Sequence, residues 1–192
     1  MLQPMAIALV HHPVIDRRGD VVKSAVTNLD IHDLARLATS YGLSRFYLVT
    51  PAKEQQQLIE RITGHWREGF GAAYNQDRRQ ALSLLETVST LADAVTDWRQ
   101  LAGPASLPIL TGARHKQGVG YQACRALARQ HPLLLIFGTG HGLAPEVYNY
   151  GWPELAPVRG GCYNHLSVRT AAAIILDRLV GELGRVMSAG HD

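Results

Sequence analysis

LLLIFGTGHGL, residues 133–143, is the stretch on which the fold turns. Leu133 to Phe137 is the most strongly apolar run in the chain, of strand length and far too short to span a membrane. Gly138, Gly140 and Gly142 come after it at alternate positions. Without Cβ atoms the backbone there turns sharply and approaches a ligand closely. In an open α/β sheet, ligands bind at the carboxyl ends of strands, so this loop is a candidate site on local grounds alone.

The residues just after the loop narrow the choice of ligand. A dinucleotide fingerprint needs a helix to open at once, with its N-terminus on the pyrophosphate. Here Ala144-Pro145 and a proline-containing run come instead. The pattern GxxxxGK[ST] is absent from the chain, so a phosphate cradle of that kind is disfavoured. The loop suits a ligand gripped by backbone groups around a flat, adenine-like ring.

Elsewhere in the chain, Met5 to Val10 and Arg45 to Thr50 read as buried strands, the first closed by His11-His12-Pro13 and the second by Pro51. Between them, Asn28 or Asp30 caps a helix whose apolar face is Ile31, Leu34, Ala35 and Ala38. Helices are expected over Lys53 to Thr63, Asp77 to Glu86 and Gly118 to Gln130. A short strand and a helix are expected within Thr87 to Leu101, and a strand over Ile109 to Thr111. A turn-rich stretch, Pro145 to Pro153, precedes a short strand at Leu155 to Val158. A long amphipathic helix then runs from Ser167 to about Leu183. Alternation of strand and helix implies an α/β fold with a mainly parallel sheet flanked by helices.

The chain has 192 residues, enough for one domain with a full core. With 46% hydrophobic and 18% charged residues, disorder is excluded. A net charge of +3 permits a nucleic-acid partner without requiring one. Cys124 and Cys162 form no CxxC pair, which suits a reducing cytoplasm and gives no zinc spacing. Met1 to Val10 lacks a basic flank and reads as a strand, not a signal peptide.

The second decisive stretch is RGGCYNHLSVR, residues 159–169, before the last helix; Asn164 and Ser167 are both natural caps there. Taken together, ALVHHPV (8–14), AVTNLDIHDLAR (25–36), YLVTP (47–51), IFGTGHGL (136–143) and YNHLSVRTAAAIILDRL (163–179) resemble the SPOUT superfamily of RNA methyltransferases, over nearly the whole chain. The resemblance implies a single domain over 1–192 with a trefoil knot at its carboxy-terminal end. General topology rules would argue against a knot. It also implies S-adenosylmethionine bound by three knot segments. These are Thr111 and Gly112; Phe137, Gly138, Thr139, Gly140, Gly142 and Leu143; and Pro157, Val158, Arg159 and Gly160 with Asn164, Leu166 and Ser167. An RNA substrate and a homodimer are implied with it, the alternative being a non-catalytic RNA- or cofactor-binding module of the same fold.

On the acceptor side, Asn28, Asp30, His32 and Arg36 cluster at the strand-to-helix region. Ribose-methylating relatives use an asparagine and an arginine in this part of the chain. Arg36 is expected to contact a phosphate or the acceptor, with Asp30 or His32 as base; the bland reading is a helix cap and a surface ion pair between Asp33 and Arg36. His11, His12, His32 and His65 lack the spacing of a helix-borne metal site, so no metal is expected. Arg17-Arg18 and Arg114-His115-Lys116 read as solvated loops, and Trp66, Tyr74, Trp98 and Trp152 as core or interface aromatics.

Overall fold

The computed structural model describes residues 2–115, 118–160 and 163–181. In chain order, β1 (Met5–Val10) is followed by the two-stranded ribbon β2 (Val14–Ile15) and β3 (Val21–Val22), then α1 (Asn28–Ser40). Next come β4 (Arg45–Val49), α2 (Lys53–Arg67), α3 (Phe70–Tyr74), α4 (Gln76–Ser83), β5 (Leu85–Val88) and α5 (Leu91–Ala102). β6 (Leu107–Leu110), α6 (Tyr121–Gln130), β7 (Leu133–Gly138), α7 (Pro145–Tyr148) and α8 (Val168–Leu176) complete the fold, α8 running into a π-helical stretch, Asp177–Gly181.

Five strands form one parallel sheet in the order β5-β4-β1-β7-β6. All six residues of β1, and the first five of β7, are buried because both faces of the sheet are covered. Met5, Ile7 and Leu9 pack with α1, α4, α6 and α8, whereas Ala6, Ala8 and Val10 face α5. The asymmetry is one of volume: small alanines on the second face leave room for Trp98, which is fully buried beside Tyr47. The Tyr47 hydroxyl donates to Asp97 Oδ2 at 2.6 Å, fixing α5 to the sheet.

Several local expectations shift. Thr27, not Asn28 or Asp30, caps α1; its Oγ1 accepts from the Asp30 amide at 3.1 Å, and Asp30 is the third residue of a capping box. The expected helix over Asp77 to Glu86 ends at Ser83 because Leu85 is taken up as a strand pairing with β4. Leu155 makes only isolated bridges, to Val119, while Glu154 bridges Leu110. The expected helix end at Leu183 lies outside the described residues, as do Lys116 and Cys162. Among the described residues no helix is long and apolar enough to cross a membrane.

Candidate functional site

β1 leads toward β4 on one side, and β7 lies on its other side, reached only after the chain has crossed from β5 to β6. The strand order therefore reverses between β1 and β7, whose ends stand side by side with Val10 opposite Gly138. Crevices open at such reversals because successive connections leave in opposite directions. Here the crevice is a cavity of about 880 Å³.

Its first wall is the loop after β7. The Thr139 amide and hydroxyl both donate to Val10 O, at 3.1 and 3.0 Å. The His141 amide donates to Ile15 O, and the Ile15 amide returns a bond to Gly142 O. Gly140 and Gly142 hold φ of +59° and +114°, which disfavour any side chain. A Cβ on Gly138 would lie 2.7 Å from the Leu143 amide nitrogen. Beneath the loop, buried His11 places Nδ1 3.0 Å from Ser24 Oγ, which is 2.5 Å from Thr139 Oγ1. Burial lowers the His11 pKa to about 4 against the opposing pull of the Asp30 carboxylate, so the ring is neutral at pH 7.

The second wall comes from the loop after β6. The Thr111 amide and hydroxyl each donate to Ile136 O at 2.9 Å. Residues 153–156 lie between Leu110 and Val119, bonded to both. His115 ties these segments together: Nδ1 stands 3.1 Å from Leu155 O, and Nε2 lies 3.3 Å from the Tyr148 hydroxyl and 3.5 Å from a Glu154 carboxylate oxygen. The third wall is the entry to α8. Asn164 Nδ2 donates to Ala113 O at 3.3 Å, and Ser167 caps α8 by accepting from the Thr170 amide.

Of the residues expected to hold a cofactor, Thr111, Gly112, Phe137, Gly138, Thr139, Gly140, Gly142, Leu143, Pro157, Val158, Asn164, Leu166 and Ser167 all line this cavity. Arg159 and Gly160 do not. Asp30 alone of the acceptor-side candidates reaches it; Asn28, His32 and Arg36 line a separate recess of about 570 Å³ with Arg61, His65, Trp66 and Arg78. Helical geometry separates them, since Asp30 and His32 are two residues apart and point to different sides of α1.

Arg169 connects the two places. Its Nη1 donates to buried Asp30 Oδ1 at 2.7 Å, and its Nε is 3.4 Å from Asp33 Oδ2. The expected surface pair between Asp33 and Arg36 is thus replaced by a pair between α1 and α8. Arg169 stands inside a decisive motif, yet its partner lies 139 residues away, and no spacing rule reveals that. His115, expected in a solvated loop, is buried. Its signal in the sequence is equally faint, a histidine between two cations. Among the described residues no cluster of His, Cys, Asp and Glu could hold a metal ion.

Residues 4–181 match the model of a family described as SAM-dependent RNA methyltransferase. A tRNA (guanine-N(1)-)-methyltransferase of Oleidesulfovibrio alaskensis is 44% identical over 91% of this chain, but the chain spans only 41% of that relative's length. An uncharacterized protein of Aquifex aeolicus is 37% identical, covering 90% of this chain and 86% of its own. Among solved structures, a SpoU methyltransferase from Streptomyces viridochromogenes, in complex with AdoMet, shares the fold with a TM-score of 0.60 at 16% identity, over 95% of this chain and 59% of that one. With the model matched from β1 to the end of the π-helical stretch, this chain belongs to the SAM-dependent RNA methyltransferase family.

Proposed function

We propose that this chain transfers a methyl group from S-adenosylmethionine to RNA of the tRNA or rRNA class, with the cofactor held in the cavity at the ends of β6 and β7. One observation carries the reading: segments 111–113, 137–143, 155–158 and 164–168, distant in sequence, converge on one cavity that also receives Asp30. The lining fits the cofactor. Phe137, Leu143, Leu155, Val158 and Ile175 offer apolar surface to an adenine ring, while the glycine-rich backbone brings amides and carbonyls to its edge. Few charged side chains line the cavity, which suits a molecule carrying balanced charges of its own.

S-adenosylmethionine, when bound, supplies an electrophilic methyl on a sulfonium; the chain's residues then position the acceptor and manage its proton. Asp30 is the group for that task, its carboxylate held by Arg169 and by the Thr27 hydroxyl, which donates to Oδ2 at 2.6 Å. Asn28, His32 and Arg36 act from the neighbouring recess, on the RNA rather than on the cofactor. The passage of residues 153–156 between Leu110 and Val119 supports the trefoil knot implied by the sequence. Tyr163 and Leu166, 80% and 45% exposed beside the α8 entry, suit the interface of a homodimer. A cytoplasmic setting follows from the RNA substrate.

Purified protein incubated with radiolabelled S-adenosylmethionine and RNA from cells lacking the gene is expected to label RNA. Cofactor binding by calorimetry with no label transferred to any RNA fraction would refute methyl transfer and leave a binding module. Nuclease digestion and mass spectrometry of the labelled RNA then identify the nucleotide.

A further inference from the structure

The recess formed by α1, α2 and α4 shares no lining residue with the cavity proposed for the cofactor, and it is strongly cationic. Arg36, Arg61 and Arg78 line it with His32, His65 and Trp66. Among the described residues, none of the three guanidiniums has a carboxylate within 4.0 Å. The single acidic lining residue, Asp33, is engaged by Arg169. Arg78 lies over the Trp66 ring, 4.4 Å from its centroid, and His32 meets the same ring edge-on at 5.8 Å. Arg78 Nε and His32 Nδ1 are buried with no hydrogen-bond partner. Burial and the Arg78 charge lower the His32 pKa, with Asp33 opposing and Arg36 adding to the effect.

Three cations share the recess with one carboxylate, itself paired to Arg169, and this excess of positive charge favours an anion with several oxygens. The adjoining helix α3 indicates which anion. A Cβ on Gly71 would lie 2.5 Å from Trp66 Cε3, so α3 packs directly on the recess wall. From α3 project Phe70 and Tyr74, 80% and 77% exposed, their rings stacked at 6.1 Å and 20°. Free phosphate has no use for exposed aromatic faces. A polynucleotide does, because every base offers a π-face beside its phosphate.

We propose that this recess is a phosphodiester-binding site for RNA, with Arg61 and Arg78 gripping the backbone and Phe70 and Tyr74 stacking on an unpaired base. It rests on the reading of RNA as substrate and adds where that RNA is held outside the cofactor cavity. Arg169, bonded to Asp30 in the cavity and Asp33 in the recess, joins the two sites through one side chain.

The test is fluorescence anisotropy with a labelled hairpin RNA bearing a single-stranded loop, titrated at several salt concentrations. Arg61→Gln is expected to weaken binding about tenfold and to lower the slope of log affinity against log salt by about one, whereas Arg61→Lys keeps the slope. Phe70→Ser with Tyr74→Ser is expected to weaken binding about tenfold with the slope unchanged. Arg61 is exposed, and unchanged urea midpoints establish that each variant is folded. Equal affinity and slope in Arg61→Gln and wild type overturn the site while leaving RNA as substrate intact. If that variant also shifts a dimer to monomer in sedimentation, the recess is a contact between copies instead. Wild-type protein that binds cofactor but no RNA at any salt overturns both readings.

Discussion

The cavity at the ends of β6 and β7 and the recess on α1, α2 and α4 are built from opposite materials. Peptide backbone and apolar side chains wall the cavity, and its shape depends on glycines whose φ values or surroundings reject a Cβ. Long cationic side chains on helix surfaces wall the recess, and the backbone behind them is ordinary helix. The cavity should therefore respond to changes of shape and be indifferent to salt, the recess the reverse. Arg169 lines neither and connects them, bonded to Asp30 on one side and Asp33 on the other.

Gly140→Val tests the first half most severely. Its φ of +59° is hostile to a β-branched residue, and the new Cβ would lie 3.0 Å from Ile15 O. Cofactor affinity measured by calorimetry is expected to fall more than about 100-fold, since one displaced loop removes one wall. Unchanged affinity would refute the claim that backbone shape makes the site.

Arg169→Met comes next. It leaves Asp30 buried with its charge uncompensated, so stability to urea should fall by about 3 kcal/mol. Asp30→Asn in the same chain should recover part of that loss, because no buried charge then remains. Two additive losses would mean that Asp30 and Arg169 contribute to stability independently of each other.

A smaller effect is expected from His11. Its folded pKa of about 4 lies below the ordinary value of 6.5, so the unfolded chain binds more protons between those limits. Stability contributed by the neutral ring is complete above pH 6.5 and is lost as pH falls toward 4. Between pH 6.5 and 5 the loss is about 1.5 kcal/mol, and His11→Gln should flatten that slope in urea titrations. An unaltered slope would place the acid sensitivity elsewhere.

Thr27→Ala should cost least, about 1 kcal/mol for the lost cap, with a second readout that separates cavity from recess. Asp30 loses the Thr27 hydroxyl on the cavity side, while recess residues keep their contacts. RNA affinity should persist and methyl transfer should slow. The same loss in both would argue that α1 moves as a rigid unit.

Much of this was legible from the chain alone. LLLIFG is apolar enough to be nothing but a buried strand, and the three glycines at and after its end announce a close backbone approach, because both signals are local and arise from residue chemistry. The parallel α/β class followed from alternation, and nearly every expected cofactor residue falls on one cavity because the motif segments carry them in runs. Helix ends were less legible. Thr27, Asn28 and Asp30 can each cap, and only the direction from which the chain enters α1 selects Thr27.

Which side chains meet across the sequence was settled by packing in three dimensions. The strand order placed β7 against β1 and so put the glycine loop over His11 and Ser24. The packing of α8 on α1 gave Asp30 its arginine, and the packing of α1, α2 and α4 gathered three guanidiniums in one recess, one of them over Trp66. Spacing along one element cannot encode such meetings. They depend on the rotation of each helix about its axis, which is fixed by the fit of apolar volumes beneath it, and that fit belongs to the whole core.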